Sequence, residues 1–206
     1  MKTNSRFIGS VACVIMLTAG CGVKRRPSEQ ISNFLIQPEI KIPDSTFEKL
    51  SCIIIRPVTT QSSFRNLNMT YRVGEVEFES DYYNRYMTSP PNQITEAIRQ
   101  WAIALHWNAC PEEMPDLNAD YFILRPVLQS FYGDFRDRNP AAFVEIRFTL
   151  THVDPSCNCS KVLLSELYTS RITMQSSDPA ALVEAQTKAI ENILNQLENR
   201  LAELVL

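Results

Sequence analysis

Apolar and polar positions change period several times along the 206 residues, and each period predicts an element. The stretch KLSCIIIRPV, residues 49–58, is a run of β-branched residues closed by Pro57, the pattern of a buried strand. NMTYRVGEVEFES then alternates, with Gly74, Val76, Phe78 and Ser80 on one face. That face is predicted as core; Glu75, Glu77, Glu79 and Asp81 form an acidic stripe on the other, which as a row of like charges reads as a solvated surface. Ser89-Pro90-Pro91 has the chemistry of a helix start, with Ser89 placed to accept from the first amides and a proline where no donor is needed. Ile94, Ala97, Ile98, Trp101, Ala104 and Leu105 follow as one apolar stripe, ended near Trp107 by Asn108 and Pro111.

Three further stretches, YFILRPVLQSFYGDF, AAFVEIRFTLTHVD and SKVLLSELYTSRITM, are joined by turns short enough for a meander of antiparallel strands. The last element opens at Asp178-Pro179 and carries Leu182, Ala185, Ala189, Ile190, Ile193, Leu194, Leu197, Leu201 and Leu204 on a stripe wider than a strict coiled-coil seam. It is long enough to lie along a sheet. The order strand, strand, helix, three strands, helix predicts an α+β two-layer domain, a mostly antiparallel sheet with two amphipathic helices packed on one face.

Ahead of this domain, Lys2 and Arg6 precede an apolar run over residues 7–17, too short for an ordinary membrane span and shaped like a secretory signal. It ends in Thr18-Ala19-Gly20-Cys21, which resembles the lipobox of bacterial lipoproteins, with Thr18 where Leu is usual. The resemblance implies cleavage before Cys21, a diacylglycerol on its thiol and an acyl chain on its new amine. Two or three chains anchor stably where one does not. Residues 1–20 are then the signal, 21–44 the lipidated cysteine and its tether, and 45–206 the domain; the absence of Asp after Cys21, where Gly22 stands, implies the periplasmic face of the outer membrane.

Removing residues 1–20 takes two basic residues from the 20 and none of the 23 acidic ones, which leaves a net charge of −5. Such a chain is poorly suited to nucleic acid, which is held through phosphate neutralisation. Only Gly22, Gly74 and Gly133 remain after cleavage, too few for a phosphate-cradling loop or a dinucleotide fingerprint. The two histidines, His106 and His152, flank no serine or cysteine constellation, so no catalytic residue is assigned. Cys52, Cys110, Cys157 and Cys159 allow three disulfide pairings in an oxidising compartment, with free thiols the alternative; no second Cys or His pair stands at a ligand spacing that would make a metal set.

The segment YRVGEVEFESDYYNRYMTSPPNQITEAIRQW resembles that of the ABC-type transport auxiliary lipoproteins, the family that includes the PqiC-like components of MCE-type lipid transport systems. Tyr71, Arg72, Tyr82, Tyr83, Arg85, Tyr86 and Pro90 or Pro91 stand where that family has an aromatic strand leading to a proline-opened helix; the family commonly has Trp where Tyr86 sits. The later strands and the closing helix are similar in order and spacing. The resemblance implies a non-catalytic lipoprotein without cofactor beyond its acyl chains, working beside an MCE-domain protein and an ABC permease and ATPase, with a homo-oligomer left open. Tyr82, Tyr83, Tyr86 and Pro90 are the candidates for a partner surface; the alternative is that they pin strand to helix. The competing function is a structural or assembly lipoprotein that docks on an outer-membrane barrel or a cell-wall synthase.

Overall fold

The structure, a computed structural model, describes residues 30–39, 52–60, 62–107 and 120–205. The signal, Cys21, Cys110 and the helix-ending Asn108 and Pro111 lie outside the described residues. Eight strands and two helices follow in the order β1 (Ser32–Phe34), β2 (Ile53–Ile55), β3 (Thr59–Thr60), β4 (Asn68–Arg72), β5 (Phe78–Tyr86), α1 (Pro90–Ala104), β6 (Tyr121–Asp134), β7 (Ala141–Asp154), β8 (Cys159–Thr173) and α2 (Pro179–Val205). They form an α+β unit around one mixed, mostly antiparallel sheet ordered β1-β5-β4-β6-β7-β8.

The meander β6-β7-β8 is antiparallel throughout, as the short turns predict. The other edge of β6 is covered piecewise and in parallel: Ile53–Ile55 runs beside Phe122–Leu124, Thr59–Thr60 beside Val127–Leu128, and Tyr71–Arg72 beside Gly133–Asp134. Three short segments thus share one edge of a single long strand. Between the second and third of them the chain loops out through a 3-10 turn at Ser62–Phe64.

Along β7 the core face is Ala142, Val144, Ile146, Phe148 and Leu150, all buried, which is the period of two that the sequence shows. α2 lies over this face. Asp178 caps its start, with Oδ1 accepting from Ala181 N–H at 2.9 Å. Leu182, Ala185, Ala189, Ile190, Ile193, Leu194, Leu197 and Leu201 are buried, whereas Leu204 at the last turn is exposed. Each buried Leu or Ile is worth about 1.5–3 kcal/mol before ordering entropy is set against it. α1 buries Ile94, Ala97, Ile98, Trp101 and Ala102 in the same core.

α1 begins differently from expectation. The Ser89 side chain makes no cap bond; the Ser89 carbonyl takes the amides of Asn92 and Gln93, and the pre-set φ of Pro90 and Pro91 suffices to start the turn. The helix ends three residues early, in a Schellman motif: Trp107 N–H donates to the Ala102 carbonyl, and His106 occupies the left-handed position at φ 56°. His106 is therefore a C-terminal cap residue rather than a member of the last turn.

One further expectation is corrected. Residues 73–77 are not strand but the turn of the β4–β5 hairpin, with Val73 N–H donating to the Glu77 carbonyl at 3.1 Å, so Val76 projects into solvent and Phe78 is half exposed. Residues 31–39 lie in the compact unit that runs from Ile31 onward. β1 pairs in parallel with the end of β5, and residues 35–39 then lie between the helices. There Ile36 is buried and its N–H donates to Gln93 Oε1 at 2.6 Å, while Glu39 N–H donates to Glu191 Oε1 at 2.8 Å.

At the far end of β6, Asp134 is fully buried and holds two guanidinium groups. Arg136 contacts Oδ1 and Oδ2 at 2.9 Å, and Arg171 reaches across from β8 to Oδ2 at 2.6 Å. Arg136 also meets Glu75 at 2.9 Å, which ties the β4–β5 turn to the β6–β7 turn. The Arg136 bonds, supported by Arg171 and opposed by burial, hold the Asp134 carboxyl well below the usual carboxylate range.

Gly133→Ala is expected to cost about 1–3 kcal/mol, because a Cβ there would stand 2.6 Å from the Phe135 ring and 3.1 Å from Leu182 under the first turn of α2; urea unfolding measures it. Asp134→Asn should cost about 2 kcal/mol, less than a fully enclosed pair, since both arginines still reach water. The depressed carboxyl contributes stability above its unfolded value near pH 4 and loses it as pH falls below that. The wild type should therefore lose more stability than the variant between neutral pH and pH about 3.

Candidate functional site

The aromatic passage from β4 through β5 into α1 is built on a bulge. Arg72, Tyr71 and Thr70 pair with Phe78, Glu79 and Ser80, but the next pair is Asn68 with Arg85, so β5 carries extra residues between Ser80 and Arg85. Asp81 organises them. Its Oδ1 accepts from the N–H groups of Tyr83 and Asn84 at 2.8 and 2.9 Å, and its Oδ2 from the Tyr71 hydroxyl at 2.7 Å and Asn84 Nδ2 at 2.8 Å. Partial burial alone would raise this carboxyl, but the bonds from Tyr71, Asn84 and Tyr83 outweigh it and hold the group below its ordinary value. The same contact, added to burial, pushes the Tyr71 phenol far up.

The consequence is a projecting aromatic knuckle. Tyr82 and Tyr83 are 63% and 43% exposed, and their rings meet edge to face at 5.2 Å. The Arg85 guanidinium lies 5.1 Å over the Tyr82 ring, and its Nε donates to the Tyr82 carbonyl at 3.1 Å. Two large side chains are thus held outward on a fixed backbone, at a lower ordering cost than a flexible loop would carry.

The four candidate residues separate. Tyr86 is 1% exposed, its hydroxyl donating to Gln186 Oε1 of α2 at 2.8 Å and its ring 5.6 Å from Phe131. Pro90 is buried in the first turn of α1. Neither is available to a partner, and both pin strand to helix. The bulge is the reason, because it breaks the alternation between Tyr82 and Tyr86. Asp81, counted in sequence among a solvated stripe, is the residue that makes the site; an Asp followed three residues later by Asn is a turn signal of the Asx kind and was its trace in the sequence.

Elsewhere, Trp101 Nε1, Trp107 Nε1 and Gln186 Nε2 are buried without a hydrogen-bond partner, and other polar groups are paired. Cys157 and Cys159 are joined in the β7–β8 turn, and Cys52 is disulfide-bonded. His152 Nε2 lies 3.2 Å from Asp120, and among the described residues no three His, Cys, Asp or Glu side chains come together as a metal set. Among the described residues no helix is long and apolar enough to cross a membrane. A shallow concavity of about 300 Å³ on the open sheet face has Phe64 and Phe78 as walls, each packed on Tyr132.

Asp81→Ala should release the knuckle at a cost of about 1–2 kcal/mol, the scale of hydrogen bonds to a charged acceptor at a part-exposed site. Hydrogen exchange reads the effect residue by residue: the Tyr83 and Asn84 amides should lose protection while those of β7 keep theirs.

No family model matches the chain, and no curated protein matches it in sequence. Its fold is shared by solved structures. A Xanthomonas campestris protein of the DUF330 family superposes with a TM-score of 0.70 at 12% identity, over 84% of this chain and 96% of that one. An uncharacterized protein gives 0.62 at 10% identity, over 84% and 99%. A hypothetical protein of Chlamydia trachomatis gives 0.50 at 11% identity, over 75% and 96%. At these identities the likeness is one of fold.

Proposed function

We propose that the chain is a lipid-anchored envelope protein on the periplasmic face of the outer membrane, where it serves as a non-catalytic auxiliary of an ABC/MCE-type system that moves lipids or other hydrophobic molecules. The observation that carries this reading is the small-residue run into Cys21 ahead of a domain with the auxiliary-lipoprotein order of elements: aromatic strand, proline-opened helix, three-strand meander and closing helix. The α+β fold shared with the DUF330 structure agrees with it.

The activity proposed is docking. The exposed part of the expected docking motif is Tyr82 and Tyr83, presented rigidly by Asp81, while Tyr86 and Pro90 serve the core. An MCE-domain protein, the permease and its ATPase are the partners, and the acyl chains on Cys21 are the only non-protein groups the reading requires.

Affinity capture of the tagged full chain from its own crosslinked envelope, with partners identified by mass spectrometry, tests it. The expected result is recovery of an MCE-domain protein and a permease, lost in a Cys21→Ser chain. Recovery of an outer-membrane barrel or a cell-wall synthase in their place would establish the assembly role and overturn the transport reading.

A further inference from the structure

We infer that the concavity on the open face of the sheet is a saccharide site: Phe64 and Phe78 stack on the ring of a neutral sugar, and the amide and hydroxyl groups between them bind its hydroxyls. The inference is independent of the anchor and docking readings, since it uses neither Cys21 nor the tyrosine knuckle.

The walls are aromatic rings fixed from behind. β4 and β5 set Thr70 opposite Ser80 and Arg72 opposite Phe78, and the 3-10 turn at Ser62–Phe64 brings Phe64 to the same cleft. Tyr132 of β6 packs against both walls. Its ring lies 6.4 Å from that of Phe64 at 25° and 5.4 Å from that of Phe78 at 85°, so the two walls stand at a steep angle to each other. Tyr132 is itself packed on Phe143 at 5.1 Å. The Arg72 guanidinium lies 5.8 Å over the Phe78 ring while donating to the carbonyls of Gly74 and Glu75. Phe78 is nonetheless 48% exposed, an aromatic ring held in place with much of its surface open. Walls that are fixed before binding lower the ordering cost of a ligand.

The ligand class follows from what lies between the walls. Ser63, Asn66, Asn68, Thr70, Glu79 and Ser80 line the cleft. Among the described residues none of these side chains hydrogen-bonds to the rest of the chain, although Asn68 and Thr70 are half-buried. Asp81 and Asn84, a few residues further along β5, by contrast spend theirs within the protein. The cleft holds about 300 Å³, at the small end of ligand pockets. An acyl chain there would strand the polar lining away from water. A phosphate would meet no cation, because Glu79 is the charged residue of the lining and the donors of Arg72 are taken up by the β4–β5 turn and the Tyr132 hydroxyl. A metal ion would find one carboxylate and no second ionic ligand. A pyranose ring meets all these conditions. Its C–H faces are apolar enough to stack on an aromatic ring, and its rim of hydroxyls, each both donor and acceptor, matches amides, hydroxyls and a carboxylate.

The test uses the full chain as purified from its envelope, held in phosphatidylcholine nanodiscs free of sugar-headed detergent. Calorimetric titration with glucose, galactose, N-acetylglucosamine, maltose and chitobiose measures binding, and palmitate is titrated beside them. At least one of the sugars is expected to bind, and Phe78→Ala should weaken it about tenfold, the scale of one lost stacking contact. Because Phe78 also packs on Tyr132, Asn66→Ala, at an exposed position, supplies the variant that leaves the fold alone; it should weaken binding while unfolding at the wild-type urea concentration. Leu167→Ser, on β8 outside the cleft, should bind as the wild type does. Cosedimentation with purified cell-wall glycan or with vesicles of a glucosyl diacylglycerol, reduced in Asn66→Ala, would support the inference and name the source of the sugar. No binding of any of these sugars at millimolar concentration would overturn it. So would binding unchanged in both Phe78→Ala and Asn66→Ala, or binding of palmitate in place of sugar that the same substitutions weaken, since the cleft would then be an acyl site.

Discussion

β6 is fourteen residues long and has neighbours along both its edges, where its buried backbone groups need partners. β7 serves one edge in an antiparallel ladder whose register shifts once, between Leu128 and Ser130. The other edge is shared among β2, β3 and β4, and this constraint lays the first half of the domain out in order along a single strand. Because β4 must end beside Gly133 and Asp134, the hairpin to β5 is placed at that end of the sheet and runs back toward α1. Gly133 admits Leu182 and so lets α2 close over the meander, while Asp134 gathers Arg136 and Arg171 and, through Arg136, holds Glu75 of the hairpin turn. The knuckle stands where it does because its strand is fixed at both ends, by the hairpin at one and by Tyr86 against Gln186 at the other.

Periodic elements were legible in the sequence and non-local ones were not. β7 and α2 have a clean period over fourteen or more residues each, and their buried faces are the ones the period names, except for Leu204 in the last turn. The parallel pairing of β2, β3 and β4 with β6 left no local trace, since partners about 60 to 70 positions apart set no pattern in either segment. β1 is three residues long and gains its place only by meeting β5. Glu75, Val76 and Glu77 imitate a strand by alternation, yet without a core opposite them the same residues close a turn.

At the candidate site the structure separates tyrosines that the sequence groups together. A uniform strand would put Tyr82 and Tyr86 on the same face, and Tyr83 on the other. Asp81 breaks that rule by drawing the amides of Tyr83 and Asn84 to one oxygen, which lifts two tyrosines out and leaves Tyr86 for the core. A carboxylate given wholly to hydrogen bonds within the protein is an architectural group. It converts a ladder into a projection.

The measurement that bears most directly on this account is capture of crosslinked partners by the full chain carrying Tyr82→Ser and Tyr83→Ser together, beside the wild type, with urea unfolding of both. The account predicts that the paired substitution loses the captured partners while unfolding at the same urea concentration. Full capture by the substituted chain would contradict it.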